Sequence, residues 1–148
     1  MPGLRGIAHH LIWILKGVQV FALVGKSGTG KSFRAQLIAQ KYGIELIIDD
    51  GLLIRDQKIL VGKSAKREKG ILSAMRTVLF ADTENAEEVR ATLASQAFKR
   101  ILIIGTSLRM VKRITDVLNL PAPHRIIQIG DVATEEEIEA ARMAQKPI

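Results

Sequence analysis

The chain of 148 residues has no cysteine at all, so neither a disulfide framework nor a thiolate metal site can form. That absence fits a reducing cytoplasm. Aromatic residues make up only 4% of the chain, which leaves Ile, Leu, Val and Ala to build the core. Such scarcity also argues against a base-stacking platform as the main feature. No apolar run is long enough to span a bilayer. The best candidate, "IAHHLIWILKGVQVFALVG", is interrupted by Lys16 and is followed by no small-residue cleavage site after Leu15. Internal repeats and low-complexity linkers are missing too, as is the N-K-x-D signature that reads guanine.

What is present fits an ordinary globular domain. Apolar residues reach 47% and charged ones 25%, and the length suits a single layered domain over residues 1–148. The formal net charge is +7, which suits a partner rich in phosphate. Nucleic acid is one such partner, less favoured here than a nucleotide. His9 and His10 have no third ligand at a suitable spacing and read as surface histidines. The chain ends at "AQKPI" without structural closure, which leaves room for a missing C-terminal segment.

Apolar patterning predicts alternating strands and helices. Two strands, about 10–15 and 18–24, join at a turn over Lys16–Gly17, forming an N-terminal hairpin. A helix follows over 31–41, with Phe33, Leu37 and Ile38 on one face and Gly43 as its stop. The run "IELIID" is a strand over 44–49, and "LLIRDQKILV" reads as a hairpin turning at Asp56–Gln57. A helix near 71–80 precedes another that starts at Asp82 or Thr83. "RILIIG" at 100–105 is apolar enough for a strand covered on both faces. Thr106 or Ser107 caps the next helix, whose Leu108, Val111, Ile114 and Leu118 share a face. "RIIQIG" at 125–130 is another strand, and the Thr134–Glu137 capping box opens a last helix. This alternation predicts an α/β fold of three layers: a mainly parallel sheet, helices on both faces, and a β-hairpin insertion.

The segment Gly25–Lys26–Ser27–Gly28–Thr29–Gly30–Lys31–Ser32 matches G-x-x-x-x-G-K-[ST] without departure. A chance match somewhere in the chain has odds of roughly one in two hundred. Glycines let the backbone turn its N–H groups inward, and the following helix N-terminus adds positive potential. Lys31 is placed to reach the β- and γ-phosphates, Ser32 to offer its hydroxyl to Mg²⁺, and Phe33 to complete the cradle. The chain thus resembles the P-loop NTPase superfamily over its first strand, loop and helix. That resemblance implies a nucleoside triphosphate, with ATP favoured by frequency alone, and Mg²⁺.

Such a site also needs a carboxylate at the end of a neighbouring strand. Asp49 and Asp50 end the "ELIIDDG" strand and supply the pair, Asp49 for the metal and Asp50 as base or second ligand. Asp50–Gly51 also reads as a hairpin turn, and the two readings are compatible. Asp131, after the 125–130 strand, competes for the metal role. With its close spacing to the loop, the pair resembles HPr kinase/phosphorylase over roughly residues 20–62. That family implies a carboxylate assisting the hydroxyl that is phosphorylated. "VGKSGTGKSFRAQLIAQKYGIELIIDDGLLI" and "GKSAKRE" also look like small bacterial proteins described only as ATP-binding. Lys26 stands where partition-type ATPases carry a signature lysine that crosses a dimer, or else is a solvated loop residue. The basic segment 62–70, with Lys63, Lys66, Arg67 and Lys69, reads as a lid over the phosphates or as a solvated or RNA-facing loop. Arg67 is the first choice for stabilising the transferring phosphoryl group. Thr106 and Ser107 are candidates for sensing the γ-phosphate, a role that helix capping rivals. These residues point to an ATPase or a kinase-like phosphotransferase; the alternative is a non-catalytic nucleotide-dependent switch or an RNA-associated module.

Overall fold

The computed structural model describes residues 13, 16–26, 30–62, 70–80 and 83–131. The elements are β1 (Gln19–Val24), α1 (Lys31–Tyr42), β2 (Leu46–Asp49), β3 (Leu52–Arg55) and β4 (Lys58–Gly62). They continue with α2 (Ile71–Val78), α3 (Thr83–Ser95), β5 (Arg100–Gly105), α4 (Leu108–Val117) and β6 (Pro123–Gln128). All six strands form one sheet in the order β4-β3-β2-β5-β1-β6. The four strands β2, β5, β1 and β6 run parallel, while β3 and β4 fold back as the antiparallel insertion.

Alternation along β1 sorts the two faces of the sheet. Val20, Ala22 and Val24 point to a core completed by Val89 and Leu93 of α3 and by Val111 and Ile114 of α4. Phe21 and Leu23 point the other way, onto Ala35, Ile38 and Ala39 of α1. The central strand β5 is buried on both faces, which is why its sequence is a nearly unbroken apolar run. The expected three-layer α/β arrangement is therefore present.

Both turns of the insertion place paired residues at positive φ. Asp50 and Gly51 (55° and 80°) join β2 to β3, and Asp56 and Gln57 (51° and 65°) join β3 to β4. Two successive positive φ values match the right-handed twist of a tight hairpin. Gly62 at the end of β4 has φ 117°, and a Cβ there would lie 2.3 Å from the Gly51 carbonyl oxygen. The close approach of the two strand ends depends on that missing side chain.

Several expectations need correction. The buried face of α1 is Ala35, Ile38 and Ala39, whereas Phe33 is 74% exposed and Leu37 46% exposed. Phe33 sits in the first turn of α1, before the helix crosses the sheet, and Leu37 lies off the Ala35–Ala39 stripe. Trp13 is helical rather than extended and packs on Phe98 with ring centroids 5.1 Å apart. Lys16–Gly17 does turn, but the remainder of the expected 10–15 strand lies outside the described residues. β6 starts at Pro123 and stops at Gln128, because Ile129 to Asp131 have already turned helical. The Thr134–Glu137 helix and residues 63–69 lie outside the described residues. No described helix is long and apolar enough to cross a membrane.

Candidate functional site

β1 delivers the chain into the glycine loop, and α1 receives it. Gly30 takes φ 76° immediately before the first helical residue, a conformation only glycine adopts without strain. Lys31 and Ser32 are then the first two residues of α1, so their side chains stand at the helix N-terminus beside unbonded backbone N–H groups. Ser27, Gly28 and Thr29 of the loop lie outside the described residues.

Lys31 folds back over the loop. Its Nζ donates to the carbonyl oxygens of Gly25 and Lys26, each at 2.7 Å. Burial pulls its ammonium below the ordinary lysine value of 10.5, while the nearby Asp49 carboxylate pushes the other way. An ammonium in that position is held by two backbone carbonyls, which it can exchange for phosphate oxygens.

Ser32 Oγ donates to Asp49 Oδ2 at 2.5 Å, joining α1 to the end of β2. The expected carboxylate at a neighbouring strand needs one correction. β2 is not adjacent to β1; β5 runs between them, and the serine and aspartate meet across its end. Asp49 pairs with Leu52 across the hairpin, while Asp50 has left the strand and occupies the positive-φ turn. Strand alternation therefore no longer sends Asp50 to the opposite face. Both carboxylates line one cavity of about 460 Å³, together with Lys31, Ser32, Phe33 and Thr106. Asp50 belongs both to the turn and to the cavity lining.

At the end of β5, Thr106 and Ser107 divide the two roles expected of them. The Ser107 hydroxyl accepts from the Met110 N–H at 3.1 Å and caps α4. Thr106 does not cap; its hydroxyl and N–H both face Met110 Sδ at 3.4 Å, and it lines the cavity. Gly105, just before it, leaves room for Val111, which a Cβ there would approach to 2.9 Å. Sequence patterning had not singled out Val78 and Met110, which close the apolar side of the cavity. Only their spatial convergence with Phe33 identifies them.

Two expected residues, Asp131 and Lys26, do not line this cavity. Asp131 follows β6, at the far edge of the sheet from β2, and is exposed. Arg67 lies outside the described residues with the rest of segment 63–69. Lys26 is exposed and contributes its backbone carbonyl to Lys31. Among the described residues no group of three or more His, Asp or Glu side chains stands together as a metal cage. The oxygen set at hand is one hydroxyl and two carboxylates at the mouth of an anion-binding loop. Such a set suits a small hard cation that shares its ligands with phosphate.

The model of the ATPase family associated with various cellular activities (AAA) matches residues 21–129, from β1 to just past β6. No curated protein and no solved structure matches the chain. The family match covers well over half of the chain, and the chain belongs to the AAA family. It is accordingly an ATP-binding, ATPase-like P-loop domain.

Proposed function

From that family membership, we propose that the chain works as one nucleotide-binding domain that holds Mg²⁺-ATP and transfers its γ-phosphoryl group, to water or to a hydroxyl acceptor. The observation that carries the reading is the Ser32–Asp49 contact at 2.5 Å beside Lys31 and Asp50 in one cavity. In this reading the N–H groups of the Gly25–Phe33 loop hold the phosphate chain, and Lys31 leaves the carbonyls of Gly25 and Lys26 for the β- and γ-phosphates. Ser32 and Asp49 would hold the Mg²⁺, whose chemistry is to neutralise charge on the phosphate oxygens.

Asp50 is the residue to accept the proton of the attacking hydroxyl, since the turn aims it into the cavity without a strand to constrain it. Thr106, which lines the same cavity, would hydrogen-bond the γ-phosphate or the attacking water. Arg67 would come over the cavity with segment 62–70 and stabilise charge on the transferring group. A kinase-like use is supported by the closeness of the Asp pair to the loop, and by a cavity that continues past the carboxylates to Val78 and Met110.

A second reading, a non-catalytic nucleotide-dependent switch, draws support from Asp50's structural duty in the hairpin turn. Incubating the chain with γ-labelled ATP and Mg²⁺ decides between them. Phosphate release, or label on an acceptor in lysate, that disappears in Lys31→Ala supports phosphoryl transfer. Tight ATP binding without turnover, lysate included, supports the switch.

A further inference from the structure

At the opposite end of the sheet from the glycine loop, the starts of β1, β5 and β6 and the end of α1 line a second, open cavity of about 510 Å³. Its wall is cationic and aromatic. Lys41, Arg100 and Arg125 line it with Tyr42 and His124, and no carboxylate is among the lining residues. The Arg125 guanidinium lies over the Tyr42 ring, 4.8 Å from its centroid, and the Lys41 ammonium is 5.5 Å from the same centroid. Tyr42 in turn leans on Phe21 at 5.4 Å, and His124 meets Phe21 edge-on at 6.5 Å.

This grouping is not a by-product of regular pairing. Val20 pairs with Pro123 but Phe21 pairs with Arg125, so His124 is an extra residue in β6. A bulge of this kind re-aims the side chains on either side of it. Helix capping accounts for part of the charge: Arg100 Nη1 donates to the Tyr42 carbonyl at 3.1 Å, and its Nε to Gln19 Oε1 at 3.4 Å. These bonds engage only part of a guanidinium's donors. Capping does not account for Arg125 or His124, which arrive from another strand. Glu45, the nearby acid, is already committed, since its carboxylate accepts from the backbone N–H groups of Lys99 and Arg100 at 3.0–3.2 Å.

We infer that this cavity binds single-stranded nucleic acid, with phosphates on Lys41, Arg100 and Arg125 and bases against the exposed His124 ring and the Arg125 guanidinium that Tyr42 supports. Cations interleaved with rings along a concave surface are what a flexible strand requires. An acidic peptide would use the cations but not the rings. An anionic lipid surface would likewise use the cations and leave the rings without a base to stack on. The site is separate from the ATP cavity and does not depend on the reaction assigned there.

The test is fluorescence anisotropy of the full chain with a labelled oligo-U strand, and with an oligo-dT strand of equal length. Three phosphate contacts predict that log K falls with log[salt] with a slope of about −2. The double variant Lys41→Glu/Arg125→Glu weakens binding about tenfold or more and flattens that slope. Tyr42→Leu keeps an apolar contact for Phe21 but removes a ring, and weakens binding about fivefold or more at unchanged charge. Thermal melts and retained binding of a fluorescent ATP analogue show that the variants are folded. The inference is overturned if neither strand binds at low salt, or if the double variant binds as the parent does. It is equally overturned if inorganic polyphosphate competes as well as the oligonucleotide and Tyr42→Leu is silent, which would mark a generic anion surface. Retention on phosphatidylserine vesicles without oligonucleotide binding would instead mark a membrane contact.

Discussion

Ser32 and Asp49 meet at 2.5 Å although a whole strand, β5, runs between the strand that carries the aspartate and the strand that leads into the loop. The contact joins the first turn of α1, which begins at the loop, to the last residue of β2. Two residues 17 apart in sequence thereby close one side of the cavity beside the glycine loop.

If that contact marks the cation position, Asp49→Asn should lower the apparent affinity for Mg²⁺ by about 10- to 100-fold. ATP binding measured without the cation should change little. Titrating Mg²⁺ into the ATP complex of each protein checks it. Equal Mg²⁺ dependence in parent and variant would remove Asp49 from that role.

For Asp50, the turn conformation and the proposed role as base can be pulled apart. Its φ of 55° suits Asn nearly as well as Asp, so Asp50→Asn should leave stability within about 0.5 kcal/mol. Asp50→Val should cost about 1–2 kcal/mol, as a β-branched residue in the left-handed region. If Asp50 is the base, Asp50→Asn lowers turnover by about 10²- to 10⁴-fold with ATP affinity preserved. Unfolding curves and single-turnover rates on the same three proteins give both answers.

Lys31 makes a prediction in pH. Burial lowers its value in the folded chain beneath 10.5, so between that lowered value and 10.5 the unfolded chain holds more protons. The slope of stability with pH is then positive across the window, and the cost of the buried charge is present in full below it. Lys31→Met has no such cost. The stability of Lys31→Met relative to the parent should therefore shrink as pH rises towards 10.5 in nucleotide-free protein. Urea unfolding at a series of pH values reports it, and a flat or widening difference is the contrary result.

Gly62 is a structural control. A Cβ there meets the Gly51 carbonyl oxygen at 2.3 Å in a backbone conformation with φ 117°. Gly62→Ala should cost about 1–3 kcal/mol. Because Gly51 follows Asp50, it should also disturb the cavity. A variant as stable as the parent would mean the hairpin ends are not packed as described.

Much of this was legible from local patterning. The glycine loop, the start of α1 and the β5 boundaries can be read from spacing and apolar runs, because those segments obey a single local rule. Other features depend on tertiary arrangement. Phe33 and Leu37 look like core by periodicity, yet the sheet takes Ile38 together with Ala35 and Ala39, the two alanines letting α1 approach closely. The interposed β5 is invisible in sequence, since strand order is not chain order. Thr106 and Ser107 are equivalent as letters; only the hydrogen bond to Met110 N–H separates the cap from the cavity residue. The basic cavity at the far end gathers residues from α1, β5 and β6, and a bulge that no motif announces.

The most direct measurement is isothermal calorimetry of ATP with Mg²⁺ on the parent chain and on Lys31→Ala. A nucleotide-holding loop predicts saturable one-site binding by the parent, and at least a tenfold loss in the variant, as expected for removing a charged hydrogen-bond donor to phosphate. A parent that gives no heat with any nucleoside triphosphate, or a variant that binds as tightly as the parent, would contradict it.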